Sequence, residues 1–134
     1  RDEKKGEGDL INKVGETLHE AGRKIQEVYS DGTGIFAIET EESIVCCKRQ
    51  VYAHTVSCTD GLPDKAQEKD KQFVMYVEEN SDGNPLQKYY KFPVDTVMKV
   101  ARVNVRGVEG EENSDMPMKN FPIKLGDPVS VEEI

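Results

Sequence analysis

The chain has no tryptophan, two histidines and three cysteines in 134 residues, and each shortage narrows what it can do. His19 and His54 are the only side chains whose ordinary pKa lies near neutrality, so general acid–base chemistry has two places to start. His19-Glu20 lacks the second histidine of a zinc-protease helix. His19 is expected to face solvent, and His54, alternating with Tyr52, Val56 and Cys58, reads as a partly buried or edge strand residue. No run approaches the roughly 20 apolar residues of a membrane-spanning helix, so no membrane span is expected. Basic residues are short too: 18 Lys and Arg face 26 Asp and Glu, a net charge of −8. That balance repels phosphate backbones and excludes nucleic acid, since Lys99, Arg102 and Arg106 are too few to make a basic face. Asp31-Gly32-Thr33-Gly34 precedes a strand-like run, whereas a phosphate cradle needs a helix after it. Asn-x-Ser/Thr acceptors are absent, because Asn80 and Asn113 are each followed by Ser-Asp.

The cysteines are close in sequence but wrongly spaced for a metal. Cys46 and Cys47 are adjacent, and in a strand adjacent side chains point to opposite faces, so both cannot turn to one zinc ion with His54 and Cys58. No metal and no cofactor are expected. A disulfide from Cys58 to Cys46 or Cys47 would close a short loop, leaving the third thiol buried, free or linked to a second subunit. With an opening Arg1 in place of Met, this cysteine usage favours an extracellular, secreted protein, with a cytoplasmic one as the alternative. The acidic pairs Glu41-Glu42, Glu78-Glu79, Glu111-Glu112 and Glu132-Glu133 lack calcium-loop spacing and read as a solvated rim.

What is present is pattern. The length suits a single domain. Residues 1–8 are charged and carry no apolar anchor, which predicts a flexible leading segment. Leu10, Ile11, Val14, Leu18, Ala21, Ile25, Val28 and Tyr29 then recur at helical spacing, predicting one amphipathic helix over about 9–29, stopped by Ser30 to Gly34. Gly15 and Gly22 flank its apolar stripe, as a close approach to another backbone would require. Beyond Gly34 the period becomes strand-like over about 34–125: Ile35 to Ile38, Ser43 to Cys58, Gln72 to Val77, Gln87 to Val94 and Thr96 to Arg106. The Ser43 to Cys58 run is one bent strand, or two joined by a bulge near Lys48 to Gln50. Gly61 to Lys71 reads as an exposed loop with one helical turn, and 126–134 as a tail. The expected fold is α+β: one N-terminal helix on an antiparallel meander of about five to seven strands, either open or curled toward a barrel.

One internal echo stands out. Glu78-Glu79-Asn80-Ser81-Asp82 recurs as Glu111-Glu112-Asn113-Ser114-Asp115, and each copy is followed by Pro, Lys and then Phe92-Pro93-Val94 or Phe121-Pro122-Ile123. Asn80, Ser81 and Asp82, with Asn113, Ser114 and Asp115, are the candidate binding residues of two exposed hairpin tips, and each Phe-Pro marks where the returning strand leaves its ladder.

Without a catalytic constellation, the expectation is a non-enzymatic interaction or effector protein presenting these tips to a protein partner, with a disulfide-linked or non-covalent homodimer as a further option. A lipid- or small-ligand-binding protein, using a helix–sheet cavity or the helix itself, is the alternative. Gln50-Val51-Tyr52-Ala53-His54 also follows the helix where the cystatins, one helix on an antiparallel sheet, carry a Gln-x-Val-x-Gly hairpin. The segment resembles that hairpin at Gln50, with Tyr52 and His54 standing for its valine and glycine, over five residues. The resemblance implies cysteine-protease inhibition as another alternative.

Overall fold

The structure, a computed structural model, describes residues 2–30, 36–51, 54–59, 61–80, 82–106 and 116–134. Helix α1 (Asp2–Glu20) buries Leu10, Val14 and Leu18, one residue per turn along a single stripe. It starts within the segment expected to be flexible and ends well before Tyr29. The stop is Gly22, at φ +79°: the Gly22 N–H donates to the His19 carbonyl at 3.0 Å and the Arg23 N–H to the Leu18 carbonyl at 2.9 Å. These are the paired bonds of a helix ending on a left-handed residue. The chain then turns back as strand β1 (Ile25–Ser30). Strand, not helix, therefore covers Ile25 to Tyr29, and the helical spacing has another cause. A register shift between Ile25 and Glu27 places Ile25 opposite Thr40 and Val28 opposite Ile38, so two residues three apart share one face of a strand as they would of a helix. Gly15 has room for more than hydrogen. A Cβ there would sit 3.9 Å from Ile25 Cδ1 and Ile38 Cδ1, an ordinary contact, so close approach is not why it is glycine.

Six strands form the main sheet in the order β1-β2-β3-β5-β6-β9, with β2 (Phe36–Thr40), β3 (Ser43–Val51), β5 (Gln72–Asn80), β6 (Pro85–Phe92) and β9 (Asp127–Val129). Its ladders are antiparallel except the central one, where β3 runs parallel to β5 from Ser43 opposite Gln72 to Val51 opposite Asn80. Parallel neighbours need a long connection. Here it consists of β4 (Thr55–Thr59) and helix α2 (Leu62–Glu68). The Ser43 to Cys58 run is thus two strands in different sheets, since β4 joins β8 (Met116–Pro122) and β7 (Arg102–Arg106) in a second sheet ordered β4-β8-β7. Among the described residues neither sheet closes into a barrel. Part of the expected strand from Thr96 is instead helix α3 (Val94–Val100), which starts after Pro93 and buries Val97. The fold is α+β, with α1 on one face of a mostly antiparallel sheet.

Two cores result, one on each face of the main sheet. Facing α1 are Ile38, Val45, Cys47, Val74, Tyr76 and Tyr89. The opposite face carries Ala37, Ile44, Cys46, Phe73, Met75 and Val77 against Val56, Cys58, Leu62, Ala66, Val97 and Phe121. Both Phe-Pro steps of the sequence echo act alike: Pro93 caps α3 where β6 ends, and Pro122 caps the 3-10 turn Ile123–Leu125 where β8 ends. The two phenylalanines meet edge-on, Phe92 to Phe121 at 5.2 Å between centroids, each 6.1 Å from Phe73.

Candidate functional site

The first hairpin tip lies between β5 and β6. Asn80 Oδ1 accepts the backbone N–H of Asp82 at 2.9 Å and of Asn84 at 3.0 Å, while the Gly83 N–H donates to the Asn80 carbonyl at 3.0 Å. Gly83 supplies the left-handed conformation the turn requires, at φ +86°. Asn80 is therefore the residue that holds the turn, and its side-chain oxygen is engaged within it. Asp82, Asn84 and Pro85 are exposed on the fixed loop. Below the tip the ladder shifts register between Val77 and Glu79, and Gln87 holds φ +49°, where a side chain is strained. Ser81 and the whole second tip, with Asn113, Ser114 and Asp115, lie outside the described residues.

A second constellation, with no counterpart in any sequence motif, centres on Glu39. Glu39 is 2% exposed, on the face of β2 that looks toward α2. Burial alone would raise its pKa, and three partners reverse that: Lys71 Nζ at 2.6 Å, the Tyr29 hydroxyl donating at 2.6 Å, and Lys69 Nζ at 2.9 and 3.0 Å. The net result is a carboxyl held down at about 2. Lys71 also donates to the Thr40 carbonyl at 2.8 Å and to Gln26 Oε1 at 2.9 Å, and Lys65 lies 4.3 Å above the Tyr29 ring. The lysines are aimed by the end of α2, where Asp70 takes a left-handed φ of +54° and the Lys71 N–H donates to the Ala66 carbonyl at 2.8 Å. Across the sheet, Lys13 reaches both carboxylate oxygens of Glu78 at 3.0 Å, and Glu78 accepts the Tyr76 hydroxyl.

The groups around these clusters stay in fixed protonation states. The bond to Glu39 pushes the Tyr29 phenol up, burial does the same to Tyr76 and Tyr89, and burial pushes the Cys47 thiol up to about 12. Each keeps one protonation state across neutral pH, which suits fixing a structure better than moving a proton.

The expected disulfide is not formed: Cys46, Cys47 and Cys58 are all buried and unbridged. Cys47 could not have served, because it faces the α1 core while Cys46 and Cys58 share the opposite one. His19 is exposed in the last turn of α1, and His54 is exposed in the turn before β4, not in a strand. Among the described residues no group of His, Cys, Asp and Glu is placed to hold a metal ion, and no helix is long and apolar enough to cross a membrane. Gln50 lies at the end of the β3 ladder, its backbone opposite Glu79, one residue before the strand ends at Val51, and Tyr52 and Ala53 lie outside the described residues. No family model, no curated protein and no solved structure matches the chain.

Proposed function

We propose that the chain is a non-enzymatic binding protein that engages a protein partner through the tip of the β5–β6 hairpin. The observation that carries this reading is the tip's construction. Two hydrogen bonds to Asn80 Oδ1 fix a loop whose outward groups, Asp82 and Asn84, are exposed. Backbone already held at Asp82 and Asn84 loses little conformational freedom on binding, so a few polar contacts suffice for recognition. A carboxylate beside an amide fits a partner surface offering an arginine or lysine and a hydrogen-bonding backbone. The burial of Leu10, Val14 and Leu18 favours this reading over one in which the helix lies on a membrane.

The test is affinity capture from extracellular fluid and from cytosol, followed by titration of the captured partner on immobilised protein. Asp82→Ala and Asn84→Ala should each weaken binding at least about tenfold, as removal of an anchoring contact does. Asn80→Ala should weaken it by loosening the tip. Unchanged affinity in both Asp82→Ala and Asn84→Ala would refute the assignment.

A further inference from the structure

Strand β1 ends the main sheet: β2 pairs with one side of it, and among the described residues no strand pairs with the other. Open edges are where sheets recruit further strands. Val28, on this edge, is 55% exposed, and Ile25 on the same face is 37% exposed. From Glu27 to Ser30 the strand is regular, pairing step by step with Glu39 to Phe36.

We propose that β1 is a self-association edge, joining two copies of this chain into one continuous sheet through an antiparallel, two-fold β1–β1 pairing centred on Val28. The sequence of the strand selects this occupant and this register. Antiparallel partners opposite each other share a face, so a two-fold axis normal to the sheet must run midway between two copies of one residue, setting that residue against itself. Centred on Val28, it sets Val28 against Val28 of the partner subunit and Glu27 against the partner's Tyr29. Gln26 then meets the partner's Ser30, so no like charges are opposed and an apolar pair covers the exposed valines. Centred on Glu27, it would set two carboxylates against each other, which is destabilising. The Tyr29 hydroxyl already lies 3.3 Å from Glu27 Oε2 within one chain, so hydroxyl and carboxylate are neighbours at the seam. The contact is small and the two copies each carry −8, which makes it a weak dimer that added salt strengthens by screening.

Sedimentation equilibrium of the full chain over rising concentration should show a monomer–dimer equilibrium with a dissociation constant between roughly 10 μM and 1 mM. It should tighten between about 50 and 500 mM NaCl, where the screening length falls severalfold. Val28→Lys, at an exposed position that leaves the far-UV spectrum unchanged, should weaken the dimer at least about tenfold by opposing two cations. Val28→Cys should form an intermolecular disulfide with oxidised glutathione faster than Ile25→Cys, because only residue 28 meets itself across the axis. A species that stays monomeric at the highest concentration in high salt would overturn the proposal. Dimerisation indifferent to Val28→Lys, or equal cross-linking at both cysteine positions, would do the same.

Discussion

Replacing Glu39 with glutamine removes one negative charge and almost no volume, so its effect isolates the charge cluster. A carboxyl held at about 2 against an ordinary 4.5 corresponds to about 3 kcal/mol of folding stability. Glu39 is almost fully buried, so little of this is lost to solvent screening. In Glu39→Gln, Lys69 is exposed enough to turn to water, whereas Lys71, with 12% of its side chain exposed, is left with Gln26 and the Thr40 carbonyl. Removing one partner of a buried pair strands the other, so a loss of about 3 kcal/mol at pH 7 is expected. With an m-value near 2 kcal/mol/M, the urea midpoint followed by far-UV circular dichroism falls by about 1.5 M. The pH dependence carries the sharper test. Because the folded pKa is depressed, the contribution is complete above about 4.5 and disappears as pH falls toward about 2. The gap between wild type and variant should therefore close across that window. A gap that is absent at pH 7, or that stays constant down to pH 2, would refute the reasoning.

Gly15→Ala should stabilise the protein by about 0.5–1 kcal/mol, the helix preference of alanine over glycine, because a Cβ there meets only ordinary contacts; a loss in thermal unfolding would contradict this. Gly126→Ala should act the opposite way, since its Cβ would fall 2.7 Å from the Phe92 ring, and overpacking costs about 1–3 kcal/mol. Ellman's reagent should react slowly with native protein and with three thiols once it is unfolded in urea. Finding a single thiol there would show a disulfide and restore the main argument for secretion.

How much of this was legible depended on whether the signal was local. Leu10, Val14 and Leu18 announced their helix, and the strands of β2, β5 and β6 announced themselves by β-branched and aromatic content. The end of α1 was misread because Ile25 and Val28 keep a helical interval that a bulged strand also accommodates. Thr96 to Arg106 reads as strand by composition, and over Thr96 to Val100 the helix start given by Pro93 outweighs it. Glu39 was invisible because its partners Lys69 and Lys71 stand 30 and 32 positions away. One hint existed. In β2, Glu39 alternates with Ala37 onto a face that β3 and β5 line with Ile44 and Phe73, a setting in which a carboxylate must find cations. The tip is more legible: Asn80-Ser81-Asp82 reads as a turn whose side chains satisfy backbone groups, and Asn80 Oδ1 accepts the N–H groups of Asp82 and Asn84.

The parallel β3–β5 ladder has a consequence for how the chain reaches this fold. β1, β2 and β3 can zip together from neighbouring turns, and so can β5 and β6, but the two groups meet only along a seam whose first partners, Ser43 and Gln72, are 29 positions apart. Closing that seam requires β4 and α2 to be looped out and packed back over it, an ordering cost incurred before either half is rewarded. The molecule should assemble as two locally built halves and a late, rate-setting join, with the seam residues Val45, Cys46, Val74 and Met75 the last to become protected from hydrogen exchange and among the slowest to open once it is made.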